Sequence, residues 1–583
     1  MKEKTRNKNH PSNPVFAICT AVGMALLILW LYRSALNGWW RWDDTVHLKQ
    51  AFCQTPLEYF FSPDAYQFLS LKNFTPWLIF SFDMDLHFLG LDPARFYARQ
   101  LMDLWLAGVV SYFLLRLWLP AWWAALGGAL CIIGAPAATT VQQLMTRHYV
   151  EGLLFALLAL YLFLVSVREK RRLTPLLGAA FYLLAMASKE VFVPLAVLFL
   201  LWPEGSLRNR LFASIPYFSA LLLYILWREF MIGMMGGGYR IHWDTLLLFP
   251  MKVCHSFFGT SHFSLMVGIM AAAVLLLSLL KKTPNRMFGR MLFAAALTCA
   301  AIGPLIPLGP AVSAERYFLV PWCVFSMALA VVLGSRQLHK RSPLVLNLLI
   351  FCLVALAALI HGHKGVRAMD PIIERFDAQG RFLWQSQKPR AVLYAPVTSH
   401  FGHYFSGLQW VKAHTKGTSQ TFMVMGDEIE LKALGDRPED IWAYDAKSRS
   451  VRDISTRIPG ILEPWQKKQR LMPLSFRLDY GKDKTAVWQC GPYPSGAYTF
   501  LSRDDTLVDG SLETSGMNKF PLSPSGQWRV NLEKPLFFYL RYDSPLGWTT
   551  YSPLLYFDPG DEHFQWNRGN SSKASNTTNN TTE

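Results

Sequence analysis

Residues Pro14–Leu36, PVFAICTAVGMALLILWLYRSAL, carry no charge before Arg33 and are long enough to cross a hydrocarbon core of about 30 Å as one helix. The stretch follows Lys2, Lys4, Arg6 and Lys8, as the apolar part of a secretory leader would. It is long for a leader, lacks a small-x-small cleavage site, and further apolar runs follow it. It therefore reads as a permanent first helix with its N-terminus in the cytoplasm. Comparable runs recur at about 121–138, 149–167, 174–187 and 190–203, then at 98–118 and 211–231, and finally at 263–280, 291–308, 317–334 and 344–361. With about 15–35 they make about eleven spans, of which 174–187 and 190–203 are short enough to be broken or tilted. A composition of 52% hydrophobic and 17% charged residues agrees with a polytopic α-helical membrane protein.

The cations between the runs set the orientation. Arg168, Lys170, Arg171 and Arg172, then Arg208 and Arg210, then Lys281, Lys282, Arg286 and Arg290, then Arg336, Lys340 and Arg341 form clusters that favour the cytoplasm. Strict alternation through eleven spans does not put every cluster on one side. An odd number of spans leaves everything after about 362 outside. The external loop at 37–97 is rich in Trp, Tyr and Phe and reads as amphipathic helices on the membrane interface.

The domains expected are a transmembrane domain over 1–361, an external α/β segment over 362–470, a β-rich external module over 471–566 and a disordered tail over 567–583. Within them, Ala391–Ala395 and Phe422–Met425 read as strands and Gly402–His414 as a helix. Ile441–Tyr444 and Val451–Ile454 read as a hairpin about Lys447–Ser448. Alternating stretches from 474 onward read as a β-sandwich-like module, and the Asn/Ser/Thr-rich tail as disordered. The net charge of +17 lies in interhelical gaps without interleaved aromatics, which points to lipid and topology and not to nucleic acid. Of eight cysteines, only Cys490 lies in the C-terminal region, so no disulfide forms within it.

Four places hold chemistry-bearing residues. Trp42-Asp43-Asp44-Thr45-Val46-His47 sets two adjacent carboxylates just after the first span. They want a metal, a cation or an acceptor hydroxyl needing a base, against the plain reading of two solvated interfacial acids. Lys189 and Glu190 lie between two short apolar runs, where charges are costly; they fit a phosphate site or a packing ion pair equally well. Arg316 with Glu315, before the tenth span, suits bidentate phosphate binding or a snorkelling anchor. Arg147, with His148, precedes the fourth span and is open to the same two readings.

The order of these stretches resembles the GT-C superfamily of polyprenyl-phosphate-sugar-dependent glycosyltransferases, in the branch of the protein O-mannosyltransferases and their tetratricopeptide-bearing relatives. The resemblance covers about residues 15–335 and is carried by five motifs. They are Trp42-Asp43-Asp44; Phe74-Thr75-Pro76 through Ser81-Phe82-Asp83; Gly90-Leu91-Asp92-Pro93-Ala94-Arg95-Phe96; Leu184 to Glu190 with Pro194; and Ala314-Glu315-Arg316-Tyr317-Phe318-Leu319-Val320-Pro321.

The resemblance implies a GT-C-like transmembrane domain and an inverting transfer from a polyprenyl-phosphate-linked sugar to an acceptor hydroxyl at the external face. Asp43 would be the catalytic base and Asp44 its partner, the latter a ligand where a divalent ion such as Mg or Mn takes part. Lys189, Arg316 and Arg147 would meet the donor phosphate, with His47, Glu190 and Glu315 in support. A bacterial inner membrane with the C-terminal domain in the periplasm follows as the setting, with membrane lipid as a partner and the acceptor, whether protein, lipid or glycan, left open. The chain departs from the pattern at Gly134–Gln143, where many relatives carry His-Pro and Glu; the Pro is kept and the His and Glu are absent. That departure puts the metal in question and gives weight to a non-catalytic scaffold for envelope assembly. A transporter is the third reading, disfavoured because the charges sit near helix ends and no inverted repeat is seen.

Overall fold

A computed structural model describes residues 14–169, 171, 173–235, 248–280, 284–306, 315–335, 344–386, 391–397, 402–417, 422–434, 440–482, 484–505, 515–530, 532 and 535–568. The basic N-terminus, Lys170, Arg172, Arg240, Lys281, Lys282, Arg336, Lys340, Arg341 and the tail beyond Arg568 lie outside these residues. The chain divides into two units: residues 1–39 with 50–372, and residues 40–49 with 373–583.

The first unit is helical. Its elements are α1 (Pro14–Tyr32), α3 (Pro56–Phe61), α4 (Pro63–Leu69), α5 (Pro76–Leu89), α6 (Pro93–Arg116), α7 (Ala121–Cys131), α8 (Ala135–Val141), α9 (Arg147–Glu169), α10 (Thr174–Ser188), α11 (Leu195–Leu201) and α12 (Leu207–Ile232). They continue with α13 (Phe249–Phe258), α14 (His262–Leu280), α15 (Pro284–Ile302), α16 (Leu319–Gly334) and α17 (Leu344–Gln385). The segment α2 (Asp44–Cys53) straddles the division near Lys49.

Among the described residues five helical stretches are long and apolar enough to cross a membrane: Pro14–Asn37, Leu144–Glu169, Leu207–Ile232, Glu315–Gly334 and Leu344–Gln385. A sixth forms if α7 and α8, bent by 56°, count as one broken span. Thr174–Ser188, Glu190–Leu201, Leu265–Leu276 and Met291–Ile306 are shorter apolar helices. The expected short pair is thus α10, a 3₁₀ turn at Glu190–Phe192 and a two-turn α11, broken beside Lys189 and Pro194.

Local chemistry sets the boundaries. Proline stands at the first turn of α3 to α6, where a missing N–H costs nothing. Asp92 caps α6 through its carboxylate on the Ala94 N–H at 3.0 Å. The α6–α7 contact depends on glycine: a Cβ at Gly128 would stand 2.9 Å from the Gly108 carbonyl oxygen. At about 1.5 Å per residue the 42 residues of α17 span roughly 63 Å, about twice a hydrocarbon core, so its polar second half extends beyond the bilayer. The division between units falls in this helix beside Pro371.

The second unit is mixed. After α17 come β1 (Val392–Tyr394), α18 (Gly402–Lys416), β2 (Met423–Met425), α19 (Glu428–Leu434), β3 (Ile441–Asp445), β4 (Ser450–Asp453) and α20 (Ile458–Lys468). The strands β5 (Leu474–Tyr480), β6 (Thr485–Gly491), β7 (Ala497–Asp505), β8 (Ser515–Leu522), β9 (Ser525–Arg529), β10 (Leu536–Asp543), β11 (Thr549–Tyr551), β12 (Leu555–Phe557) and β13 (His563–Arg568) follow.

One sheet runs β11-β10-β7-β8-β2-β1-β3-β4 with β12 on β10; a second runs β13-β5-β6-β9. β1 pairs in parallel with β2 and β3, and β2 with β8, through Val424 and Gly516. The larger sheet therefore passes through the boundary expected at 470. The hairpin at 441–454 forms as its pattern implies, with Tyr444 opposite Val451. Inward residues of β5 (Leu474, Phe476, Leu478) meet Phe538, Leu540, Leu555 and Phe557 in one core, as in two sheets packed face to face.

Candidate functional site

The acid pair belongs to the second unit. Trp42 has φ of 45°, a conformation costing a non-glycine residue about 1–3 kcal/mol, which turns the chain immediately before Asp43. The Trp42 ring packs on Phe376, which in turn meets Tyr404 edge-on. Arg41 is 1% exposed and forks onto Asp377 with two bonds of 2.7 Å. Thr45 donates to the Tyr404 carbonyl at 2.9 Å, and Gly407 leaves room for it. This strapping separates the two aspartates. Asp44 is fully buried and accepts from the Arg41 N–H at 2.8 Å. The Asp43 side chain stays 45% exposed with Oδ1 2.7 Å from Nε2 of His403, in the first turn of α18. His47 lies one turn into α2, its N–H bonded to the Asp43 carbonyl.

Asp44 thus serves the local fold, whereas the Asp43 carboxylate is held by an imidazole and is partly exposed to solvent. Among the described residues no three His, Cys, Asp or Glu side chains gather as a metal site. Asp44, turned inward onto a backbone N–H, does not fit the role of metal ligand.

The cations belong to the first unit. Lys189 is half-buried in the break between α10 and α11, its ammonium 5.6 Å from the centre of the Tyr149 ring. Arg316, in the 3₁₀ turn Glu315–Phe318, lies 5.2 Å from the Tyr317 ring, and the two tyrosines meet edge-on at 6.0 Å. Arg316 and Lys189 are close enough to interact electrostatically. Glu190 also acts electrostatically on Lys189, but among the described residues neither cation forms a close ion pair with a carboxylate. Arg316 donates to the neutral side-chain oxygen of Gln143, in the loop where the resemblance would have supplied an acid. Glu190, beside Lys189, is committed elsewhere: it accepts from Arg228 Nε and the Phe74 N–H, both at 2.8 Å. Lys189 and Arg316 thus bring two cations together at the edge of an apolar interior, where charge is costly.

Arg147 is placed differently. It is 1% exposed, 2.7 Å from Asp85, 3.1 Å from Ser81 and 3.2 Å from the Phe96 carbonyl. Arg99 joins Asp85, Asp103 and Glu151 in the same cluster. Arg147 is thus committed to carboxylates that hold α5, α6 and α9 together. Glu315 lines a separate polar cavity of about 600 Å³ between α13 and α17. An apolar cavity of about 360 Å³, lined by Leu114, Leu157, Phe199 and Val324 among others, lies between α6, α9, α11 and α16.

No single residue pattern points to His403, Gln143, Tyr149 or Tyr317. His403 is 360 positions from Asp43, and their contact is a tertiary one that no local pattern encodes.

No protein-family profile and no curated protein matches the chain. Solved structures of the Archaeoglobus fulgidus oligosaccharyltransferase show a similar architecture. The apo form is 13% identical with a TM-score of 0.45, over 67% of this chain and 64% of that one. The form tethered with an acceptor peptide containing the NVT sequon is 13% identical with a TM-score of 0.43, over 68% and 63%. The complex of that organism's AglB with an inhibitory peptide and a dolichol-phosphate is 12% identical with a TM-score of 0.43, over 68% and 64%. The chain thus spans less than two thirds of the length of these neighbours, and likeness of this degree assigns no side chain a role.

Proposed function

We propose that the chain is a membrane glycosyltransferase of the GT-C type. It moves a sugar from a polyprenyl-phosphate-linked donor to a hydroxyl acceptor on the external face, in a bacterial inner membrane whose periplasmic side holds the second unit. The observation that carries this reading is the pair Lys189 and Arg316, two cations beside two tyrosines, with the nearby Glu190 already bonded to Arg228 and the Phe74 N–H. They suit a phosphate at the membrane edge. The apolar cavity beside α9 and α16 suits a prenyl chain.

In the reaction the acceptor O–H loses its proton to the Asp43 carboxylate as its oxygen forms a bond to the anomeric carbon. The bond from that carbon to the phosphate oxygen breaks, and the electron pair leaves with polyprenyl phosphate. Lys189 and Arg316 stabilise the charge gained by that phosphate. Attack opposite the leaving group inverts the anomeric centre. His403 is a positioning residue: its bond to Oδ1 fixes the carboxylate.

Asp43→Asn in purified protein tests this. Loss of a general base lowers turnover by about 10²–10⁴-fold, with an unchanged unfolding temperature. An Asp43→Asn protein that transfers sugar from a polyprenyl-phosphate donor at the wild-type rate overturns the assignment.

A further inference from the structure

The polar cavity between α13 and α17 is unused by the reaction above. On α13, Lys252, His255 and Ser256 fall at i, i+3 and i+4 and so share one helix face; on α17, His361 and Lys364 do the same. Both faces line the cavity, so lysine and histidine side chains from two helices share one space. The turn after α13 adds the hydroxyls of Thr260 and Ser261, and among the described lining residues Glu315 is the one acid. At a volume of about 600 Å³ the space matches that of small-molecule sites. The ring of His361 already lies against Gly259, where a Cβ would stand 2.9 Å from Nδ1.

We infer that this cavity is a second anion site, which takes a phosphate ester carrying hydroxyl groups. Lysines from the two helices attract the phosphate, the imidazoles and hydroxyls bond its oxygens and neighbouring hydroxyls, and Glu315 accepts from a ligand hydroxyl. Either a glycerophospholipid headgroup or a soluble sugar phosphate has this chemistry. The turn Glu315–Phe318 borders both sites, Arg316 serving the first and Glu315 the second. The inference does not depend on the donor reading.

The test uses the full chain in phosphatidylcholine nanodiscs and radiolabelled glycerol 3-phosphate as the probe. The double variant Lys252→Gln/Lys364→Gln is expected to bind at least about tenfold more weakly, since each charge-assisted contact is worth about that factor. Glu315→Gln keeps a side-chain oxygen that accepts from the ligand hydroxyl while removing a negative charge that repels the phosphate, so it is expected to bind more tightly, a direction that misfolding does not produce. Lys189→Met is expected to leave this binding unchanged, which separates the cavity from the donor site. Nanodiscs with one fifth phosphatidylglycerol distinguish the sources: competition with the probe assigns the cavity to a lipid headgroup, and undisturbed binding to a soluble ester. Equal affinity in wild type and the double variant, or loss of binding only in Lys189→Met, overturns the inference.

Discussion

Replacing Arg147 with methionine tests whether a lone cation before a span is a ligand for substrate or a structural group. The guanidinium is 1% exposed, with Asp85 at 2.7 Å, Ser81 at 3.1 Å and the Phe96 carbonyl at 3.2 Å, and it lies 4.7 Å from the Phe82 ring. Methionine fills much of the volume but leaves Asp85, Asp103 and Glu151 sharing Arg99 alone. Breaking a buried pair on one side costs about 3–5 kcal/mol, because the remaining charge stays desolvated and unmatched. The Arg147→Met protein should therefore lose much of its resistance to heating in detergent, read as the monodisperse fraction left after a temperature series. Arg147→Met with Asp85→Leu removes both partners and should recover most of that loss, since the two sites are in contact and not additive. An Arg147→Met protein that survives heating like wild type and loses only affinity for a phosphate-bearing donor would overturn the structural role. Arg147 would then be the phosphate ligand that its position in the sequence allows.

Two further outcomes concern the second unit. Asp427 is wholly buried, with Arg541 at 2.8 Å, Lys519 at 3.2 Å and the Tyr551 hydroxyl at 2.9 Å. Asp427→Ala should destabilise this unit by about 3–5 kcal/mol, more than any surface substitution, seen as faster limited proteolysis between β7 and β10. Asp479, which ties β5 to β13, has its carboxyl held below the usual range by the hydrogen bond from His563 and then by Arg477. A depressed carboxylate stabilises the fold above its ordinary value of about 3.9 and loses that contribution as pH falls through the lowered one. His563→Ala should therefore flatten the acid side of the unfolding-temperature profile below about pH 4; an unchanged profile shows that the contact is not formed in solution.

Much of the second unit was legible because short strands punctuated by Gly, Pro and Asp carry their own signal: the hairpin at 441–454 and the helix from Gly402 stand where pattern put them. The single larger sheet was not legible, since it depends on one parallel contact between Val424 and Gly516, residues that share no local pattern. In the first unit, hydropathy marks helices but not their breaks, so the 56° bend between α7 and α8 lies within one apolar run. Arg147 and Lys189 look alike in sequence, each a lone cation beside an apolar run. Only the structure separates them, by pairing one with Asp85 and setting the other over the Tyr149 ring. The two adjacent aspartates diverge for a similar reason: the strained turn at Trp42 buries one and presents the other to His403.

The most direct measurement is the affinity of the purified protein in nanodiscs for polyprenyl phosphate without its sugar, wild type against Lys189→Met and Arg316→Gln. Each variant removes a charge-assisted contact worth about 1.5–3 kcal/mol, so binding should weaken by about ten- to 150-fold while Asp43→Asn binds normally. Affinity that is the same in all four proteins would contradict the account.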